Sequence, residues 1–581
     1  MPPAAAPDIL ASHVPSDARP LTLAERLVVA ASVALVWVLA WGHPLYPPDE
    51  GRYGSVAATM ADGGSLGAWI VPFFRGEPHL TKPPLIYWLQ ALGVEVFGRT
   101  AFAVRLPSLL ATSAALLVLF AWMRRGFGTR PAVLSVALAA VMPLTLIVGR
   151  LATTDALLSL AWIAMLASAW TAIGAPTAPP RARSLAVVAF WCAFAVGLLT
   201  KGPAAIGPLG IVTVWLLLAG RGRDVARLRP FVGLPLALLP LVAWIVALAL
   251  DPRTPLGEAG SLWWKETFGR ALGSANLRPE PFWYYLVVVA AGAFPATTFL
   301  ALPLYNLRLG ATVAAFRAGD LRALLLVAAI LPMLAFSVSV GKLATYMLPV
   351  MAPIAALAAL TLEGWLRGTF DAPVDGYRPP EVRRTFAIVA TLIFATELGL
   401  AIYVFDRAPD LLGVAIPLAI APIGAWILVG LWRRGLRLRG QGLAVAWVAM
   451  ALAWTLRFGI ETRFLAPMGA PALLERVRDL FGTDKVRVAT IGFDDPTIAF
   501  YNDGRVTFED VDPAHLLEWG SIDETLVVLV PVARVEALID EHPEVTRRLE
   551  PVATWQRFFA HPTRVFVLRA AHPRGPHVAT P

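Results

Sequence analysis

Two short stretches near the N-terminus hold the residue types that acid–base and phosphate chemistry use. The first, Pro47-Pro48-Asp49-Glu50-Gly51-Arg52-Tyr53, follows an apolar run. Adjacent carboxylates at a membrane boundary are costly to place there, so Asp49 and Glu50 are candidate catalytic residues. One could act as a general base while the other binds a cation or orients a partner. A solvated loop start, with the two prolines ending a helix, explains the same residues equally well.

The second stretch is His79-Leu80-Thr81-Lys82-Pro83-Pro84-Leu85-Ile86-Tyr87-Trp88. A lysine held beside two prolines at headgroup depth is a good phosphate ligand, so Lys82 is a candidate anion-binding residue. The alternative is a lysine that only extends its ammonium group to the interface. Tyr87 and Trp88, together with Trp69, are expected to anchor short helices at the interface.

The elements that position these residues must be mostly embedded in a membrane. Of the 581 residues, 57% are hydrophobic and only 15% are charged, and the mean hydropathy is +0.65. A soluble chain carries about 25% charged residues. The net charge of +9 lies in clusters between apolar runs, a membrane-topology pattern and not the basic stripe of a nucleic-acid-binding protein. Cys192 is the only cysteine, which excludes an intramolecular disulfide bond.

Apolar runs of roughly 17 to 25 residues can span a bilayer, and here they predict a polytopic α-helical membrane protein with about 13 transmembrane helices. The predicted spans are 25–42, 104–123, 131–149, 156–174, 185–200, 203–219, 231–250, 283–305, 322–341, 345–366, 384–404, 411–431 and 441–458. The first run has no small-residue cleavage signal after it. We therefore interpret it as a retained anchor and not as a signal peptide.

Alternate loops between these spans are rich in arginine, which sets the orientation. The positive-inside rule places the N-terminal tail, 1–24, in the cytoplasm, and an odd number of spans then places the C-terminus outside. The chain divides into this tail, a multi-span domain over 25–459 with outer loops 43–103 and 251–282, and a soluble extracytoplasmic domain over 460–581. This organisation predicts a multi-pass protein of the inner (plasma) membrane.

The C-terminal segment differs in composition from the rest of the chain. Lys485–Phe493, Thr525–Val532 and Arg564–Arg569 are rich in β-forming residues and have turn and helix signals between them. These alternating signals predict a small α/β domain on the extracytoplasmic side.

Lysine is rare: only five of the 49 lysine and arginine residues are lysines, and all five fall on the outer side of the predicted topology. They are Lys82, Lys201, Lys265, Lys342 and Lys485. A compact ammonium charge could be required at these places, although a GC-rich genome that writes arginine by default explains the count as well. Thr200-Lys201-Gly202-Pro203 is interpreted as a turn between two spans in preference to a functional site.

The two N-terminal stretches, in this order, resemble the first outer loop of the bacterial aminoarabinose transferases of lipid A. With the protein O-mannosyltransferases, these enzymes belong to the C-type membrane glycosyltransferases. Three further segments are similar to the family in the same order: Arg150–Asp155, Trp264–Pro295 and Phe336–Pro349. Each motif alone is weak, but the ordered set, which covers most of the first 365 residues, is strong.

The resemblance implies a glycosyltransferase that moves a hexosyl or pentosyl group, with inversion, from a polyprenyl-phosphate donor to a lipid or protein acceptor on the extracytoplasmic face. Asp49 would be the catalytic carboxylate and Asp155 a second acid. The candidates for binding the donor phosphate are Arg52, Lys82, Arg270, Lys342 and Tyr346. Cations there would stabilise charge that grows on the leaving phosphate. A base role requires Asp49 to lie across the cavity from these cations, because a carboxylate touching the phosphate would repel it.

One position departs from the family pattern. The aminoarabinose transferases carry a glutamate immediately before the Lys-Pro-Pro lysine, where it helps to bind a metal, whereas this chain has Thr81. His43, Glu50 and His79 are weak candidate ligands for a divalent metal, but their spacing matches no standard metal motif. The metal and the aminoarabinose specificity therefore both stay open. No nucleotide-binding motif occurs, as expected for a lipid-linked donor.

Two other functions compete with glycosyl transfer. A transporter or flippase of a lipid-linked or anionic substrate would explain the many spans, but transporters place ionisable groups near the midplane, and here most of them lie at span ends. Glu397 lies inside a predicted span, where it is either a functional residue or a residue near the outer end of the span with a partner. A sensor or assembly subunit would explain the C-terminal domain but not the clustered outer charges. Convergence of Asp49, Lys82 and Arg270 on one cavity would favour the enzyme.

Overall fold

The computed structural model describes residues 19–40, 42–175, 178–254, 280–297, 299, 316–317, 319–366, 468–481, 486–491, 495–502, 506–508, 525–555 and 563–568. Arg270, Glu397 and the predicted spans 384–404, 411–431 and 441–458 lie outside these residues.

The part up to residue 366 is built from helices. They are α1 (Leu23–Ala40), α2 (Asp49–Asp62), α3 (Leu66–Ile70), α4 (Leu85–Phe97), α5 (Ala101–Phe127), α6 (Thr129–Val141), α7 (Pro143–Val148), α8 (Asp155–Ala169), α9 (Pro180–Lys201), α10 (Gly207–Leu218), α11 (Pro230–Leu250), α12 (Tyr284–Gly292), α13 (Leu321–Val338) and α14 (Leu348–Leu366). A short antiparallel hairpin, β1 (Phe73–Phe74) and β2 (Glu77–Pro78), lies between α3 and α4.

Six helices within the described residues are long and apolar enough to cross a membrane. They are Ala101–Phe127, Asp155–Gly174, Pro180–Leu218, Pro230–Leu250, Leu321–Val338 and Ala344–Gly364. Each overlaps one or two predicted spans. Large apolar side chains are exposed on their outer surfaces, for example Phe231 and Leu250 of α11, as expected where lipid and not water is the solvent. The prediction of a polytopic helical membrane protein is confirmed, while the number of 13 spans stays a prediction.

A proline interrupts one of the predicted spans, and a glycine separates two others. The predicted span 131–149 is the two helices α6 and α7, since Met142 is extended and Pro143 begins a new helix. After α9, Gly202 adopts a φ of 56° and opens a 3₁₀ turn. Trp191 of α9 donates to the carbonyl of Leu228 at 2.7 Å. The chain between Gly202 and Leu228 therefore reverses direction and comes back to α9, as the interpretation of the Lys201 segment as a turn expects.

The first outer segment is more deeply packed than predicted. Tyr87 of α4 is only 1% exposed and packs with Tyr53 and Met60 of α2. The indole N–H of Trp88 donates to the carbonyl of Trp69 at 2.6 Å. The prediction that Tyr87 is an interfacial anchor is therefore wrong, because its ring belongs to the core between α2 and α4.

The described C-terminal residues form a five-stranded mixed sheet with helices beside it. The elements are α15 (Ala470–Phe481), β3 (Val486–Thr490), α16 (Pro496–Tyr501), β4 (Val506–Phe508), β5 (Thr525–Pro531), α17 (Val535–Glu541), α18 (Pro543–Thr546), β6 (Leu549–Trp555) and β7 (Thr563–Leu568). The strand order is β4-β3-β5-β7-β6, in which β3 runs parallel to β4 and β5, while β7 is antiparallel to β5 and β6.

The central strand β5 is buried on both faces. Val528 and Val530 pack in one apolar cluster, and Val527 and Leu529 pack in another. The three strand-rich segments of the sequence coincide with β3, β5 and β7. The two edge strands, β4 and β6, were not predicted. β4 has only three residues and β6 carries Pro551 at an irregularity in its pairing, so neither has a typical strand pattern.

Candidate active site

A cavity of about 940 Å³ lies between the first outer segment and the ends of α8, α9 and α13. Its charged lining residues are Asp49, Glu50, Arg52, Lys82, Asp155 and Lys201. Its apolar lining includes Leu158, Trp162, Leu198, Leu241, Phe336 and Pro349. A cavity with both kinds of wall suits a ligand that has a charged head and an apolar chain.

Asp49 is the first residue of α2, where the helix dipole favours a carboxylate. Its Oδ1 lies 3.5 Å from Arg52 Nη2, and the two side chains are 63% and 35% exposed. Residues three apart on a helix share a face, which explains the pairing. The expectation that Asp49 lies across the cavity from the phosphate-binding cations is therefore wrong for Arg52. The exposure of Asp49 leaves it accessible to a substrate.

Glu50 has the opposite environment, since its side chain is 2% exposed. Its Oε1 accepts from Arg105 Nε at 2.8 Å and from the backbone N–H of Ala152 at 2.7 Å. Its Oε2 accepts from Arg105 Nη2 at 2.5 Å and from the backbone N–H of Tyr46 at 2.8 Å. Glu50 thus ties α2 to α5 and to the segment before α8. These four bonds argue for a positioning role and against the catalytic role considered from the sequence.

Asp155 begins α8 and is buried. Its Oδ1 accepts from Lys201 Nζ at 2.6 Å, and its Oδ2 accepts from Thr153 Oγ1 at 3.1 Å. The Lys201 ammonium also lies 4.9 Å from the centroid of the Tyr346 ring. Asp155, Lys201 and Tyr346 therefore form one cluster in the wall of the cavity, built from three separate elements.

Lys82 lies in the cavity lining beside His79. Lys82 Nζ donates to the carbonyl of Thr81 at 3.3 Å. Nε2 of His79 is 3.0 Å from Thr81 Oγ1, and the His79 ring packs edge-on against Tyr87. Thr81, the residue that departs from the family pattern, therefore takes part in orienting His79.

A second arginine outside the helices lies near Arg52. Arg75, between β1 and β2, stacks on Phe74 with 4.6 Å from its guanidinium carbon to the ring centroid. Burial, and secondarily the positive charge of Arg52, lower the pKa of Arg75 to about 10. Arg75 remains protonated at neutral pH and adds to the positive potential beside Arg52.

These residues lie in the part of the chain that is similar to known proteins. The family model for dolichyl-phosphate-mannose-protein mannosyltransferase matches residues 81–246, which include Lys82, Asp155 and Lys201. The undecaprenyl phosphate-α-4-amino-4-deoxy-L-arabinose arabinosyl transferase of Pseudomonas paraeruginosa (strain DSM 24068 / PA7) is 30% identical over 422 residues, which are 71% of each chain. The chain belongs to this arabinosyl transferase family.

Another family member, from Edwardsiella ictaluri (strain 93-146), is 32% identical over 336 residues, covering 56% of this chain and 58% of that protein. The chain spans 58%, 63% and 60% of three such relatives, less than two thirds of their length. The crystal structure of ArnT from Cupriavidus metallidurans bound to undecaprenyl phosphate shares the fold. Its TM-score is 0.75 at 21% identity, with 94% of this chain and 99% of that chain covered.

Not every candidate named from the arabinosyl transferase pattern lines the cavity. Lys342 is 8% exposed, and its ammonium donates to the carbonyls of Ser339 at 2.5 Å and Glu280 at 2.9 Å. Lys342 is absent from the cavity lining, so the prediction that it binds the donor phosphate is not supported. Its ammonium instead links the backbone at Ser339 to the backbone at Glu280. Arg52, Lys82 and Tyr346 do line the cavity.

The metal-ligand predictions fare worse. Nε2 of His43 accepts from Arg150 Nη1 at 2.7 Å, and Arg105 Nη1 lies 2.8 Å from His43 Nδ1. Two guanidinium groups beside His43 and Glu50 would repel a cation, so we reject both as metal ligands. His79 lies apart from this cluster, against Thr81. Among the residues that the structure describes, no three His, Cys, Asp or Glu side chains could together hold a metal ion.

Lys201 is the main functional candidate that sequence reasoning ranked too low, since its segment was interpreted as a turn between two spans in preference to a functional site. Lys201 lies at the turn that ends α9, and its side chain also reaches Asp155 in the cavity. The scarcity of lysine was the available signal. Arg105 and Arg150 had no comparable signal, because they are two of many arginines and act through buried tertiary contacts.

Proposed function

We propose that this chain transfers a sugar from a polyprenyl-phosphate donor to an acceptor of the cell envelope, at the extracytoplasmic face of the inner membrane and with inversion. An aminoarabinosyl group carried by undecaprenyl phosphate is the first donor to test, because it is named in the relatives. Lipid A is the first acceptor to test, and a protein acceptor is the second.

The observation that carries this proposal is the composition of one cavity. It brings the exposed carboxylate of Asp49 together with Arg52, Lys82 and Lys201 beside an apolar wall. A polyprenyl phosphate has the complementary chemistry, with a phosphate for the cations and an isoprenoid chain for the apolar side chains. Arg270 lies outside the described residues and stays a candidate from the family pattern.

The chemistry follows from the charges. An acceptor oxygen attacks the anomeric carbon while the bond from that carbon to the phosphate oxygen breaks, and the electron pair leaves on the polyprenyl phosphate. Lys82 and Lys201 stabilise the phosphate charge as it grows, so they lower the energy of the transition state more than that of the ground state. One displacement of this kind inverts the anomeric centre.

The acceptor decides what Asp49 has to do. A hydroxyl acceptor loses its proton as the new bond forms, and Asp49 accepts that proton as a general base. A phosphate acceptor has no proton to remove at neutral pH, so Asp49 would only position it. The buried pair of Asp155 and Lys201 fixes the lysine ammonium at the wall of the cavity.

The contact between α16 and α2 supports the proposed topology. Ser55 Oγ of α2 donates to the carbonyl of Pro496 at 3.2 Å, so the C-terminal sheet lies on the same side of the membrane as the first outer segment. An even number of spans between them gives this arrangement, and the apolar runs predict twelve. Arginine-rich loops on the other side support a cytoplasmic N-terminus and an extracytoplasmic C-terminal domain.

The test is a transfer assay with purified protein, radiolabelled polyprenyl-phosphate sugars, and lipid A or a peptide as acceptor. Asp49→Asn keeps the size of the side chain but removes its basicity. We expect this variant to bind the donor lipid normally and to lose transfer to a hydroxyl acceptor, together with the acid limb of the pH–rate profile. Wild-type rates in Asp49→Asn with every acceptor would show that another carboxylate acts. Absence of transfer by the wild type from every donor would overturn the proposed function.

A further inference from the structure

Two glycines open a groove on α2, the helix that begins with Asp49. Glycine costs about 1 kcal/mol relative to alanine in a helix, so Gly51 and Gly54 need a reason. A Cβ on Gly51 would lie 2.4 Å from the backbone N of Thr497, and one on Gly54 would lie 3.1 Å from Phe500 Cδ2. The groove therefore receives α16 of the C-terminal sheet at backbone contact distance.

α16 makes both apolar and polar contacts with the helical part of the chain. Phe500 is 1% exposed and packs with Leu45 and with Ala152 of the segment that precedes α8. The hydroxyl oxygen of Tyr501 accepts from the backbone N–H of Leu45 at 2.9 Å. Burial raises the pKa of Tyr501 to about 12, so its hydroxyl stays protonated at physiological pH.

The N-terminus of α16 is held by a capping residue. Asp495 is buried and accepts from the backbone N–H of Thr497 at 3.1 Å and from its Oγ1 at 2.6 Å. This cap holds the first turn of α16 in the conformation that fits against Gly51. The entry to α2, its first two turns and the segment before α8 are thus contacted by four residues of α16, namely Pro496, Thr497, Phe500 and Tyr501.

We infer that α16 is a positioning element of the active site, and that Thr497 and Tyr501 hold the first turn of α2 so that the Asp49 carboxylate faces the cavity. The inference rests on the proposed role of Asp49. It makes the C-terminal sheet part of the machinery for transfer and not an independent appendage. A displacement of α2 by the width of one methyl group would move Asp49 relative to Lys82 and Lys201, which lie on other elements.

The experiment uses the full chain. Gly51→Ala places a methyl group against the backbone of Thr497, and Gly210→Ala in α10 is the matched control, because a Cβ there meets nothing within 4 Å. A misplacement near 1 Å costs roughly 100-fold in rate, so we expect a fall of this order in kcat for Gly51→Ala and none for Gly210→Ala. Donor KM should change far less. Tyr501→Phe should lower kcat roughly tenfold, because it removes the acceptor for the Leu45 N–H.

A second measurement does not need transfer. In a Cys192→Ala background, Asp49→Cys gives a single thiol whose rate of maleimide labelling reports the position of residue 49. Gly51→Ala and Tyr501→Phe should change this rate, and Gly210→Ala should not. Unchanged labelling together with wild-type kcat in both folded variants would overturn the inference. If the wild type transfers no sugar, the proposed function fails, but the labelling rates still decide the positioning role. If Gly51→Ala does not fold, Tyr501→Phe decides it.

Discussion

Replacing Glu50 by glutamine separates a stabilising role of this carboxylate from a part in the reaction. The change preserves the shape of the side chain and removes one acceptor oxygen and the negative charge. The amide N–H₂ of glutamine is itself a donor and would face two other donors in either orientation. They are Arg105 Nε and the Ala152 N–H in one orientation, and Arg105 Nη2 and the Tyr46 N–H in the other. Two of the four hydrogen bonds are lost in either orientation.

The magnitude follows from burial. The side chains of Arg105 and Glu50 are 0% and 2% exposed, so Glu50→Gln leaves a buried guanidinium without its counter-charge. Breaking a buried pair in this way destabilises a protein by about 3–5 kcal/mol. Asp49 and Arg52 are 63% and 35% exposed at 3.5 Å, and such exposed pairs contribute at most about 1 kcal/mol. We therefore expect Glu50→Gln to lower stability strongly and Asp49→Asn to leave it nearly unchanged.

The assay is thermal unfolding of both variants and the wild type in one detergent, with the yield of folded protein measured in parallel. Transfer is measured only on the folded fraction. Glu50→Gln should unfold at a clearly lower temperature, while Asp49→Asn should unfold with the wild type and be inactive towards a hydroxyl acceptor. Wild-type stability of Glu50→Gln would refute the argument, since Arg105 would then tolerate the loss of its partner.

Lys82→Ala should reduce turnover by roughly 10²–10³, about 2.7–4 kcal/mol, at a normal yield of folded protein; near-normal transfer would exclude Lys82 from the donor site. Lys201→Met should also lose transfer, whereas Lys342→Met, whose ammonium is bound to backbone carbonyls, should affect thermal stability more than donor binding. Equal effects on donor binding would contradict the assignment of the two lysines. Reporter fusions at Arg223 should read as cytoplasmic and those after Glu461 as extracytoplasmic, and an inward-facing C-terminus would contradict the proposed topology.

The membrane spans were predictable because length and hydropathy decide them. Each of the six long apolar helices in the described part overlaps a run read from the sequence. The break before Pro143 was missed, since an apolar run hides a helix end that only backbone geometry reveals. The edge strand β6 was missed for a related reason: Pro551 and an irregular pairing disguise it, whereas the doubly buried β5 has an unbroken apolar pattern.

The site was predictable only where a motif kept its residues adjacent or in family order. Asp49 and Lys82 were found in this way. The roles of Asp49 and Glu50 could not be divided from the sequence, because two neighbouring residues at a helix start point in different directions. The division depends on Arg105, which is 55 positions further along the chain. The role of Lys201 depends similarly on its contact with Asp155, which joins two helices and cannot be inferred from sequence spacing.

The pairing of Asp49 with Arg52 suggests how donor binding and acceptor activation are coupled in the proposed reaction. At 3.5 Å and with both groups accessible, the pair is loose. A phosphate entering beside Arg52 would compete for the guanidinium, since a phosphate oxygen is a strong acceptor for arginine. Each guanidinium N–H that Arg52 turns towards the phosphate is withdrawn from Asp49. The Asp49 carboxylate then becomes available to the sugar acceptor. Glu50 is not free to respond in this way, because its side chain is 2% exposed and its two oxygens already accept four hydrogen bonds. The exposed carboxylate can therefore change partners during the reaction, while the buried one keeps α2 in place.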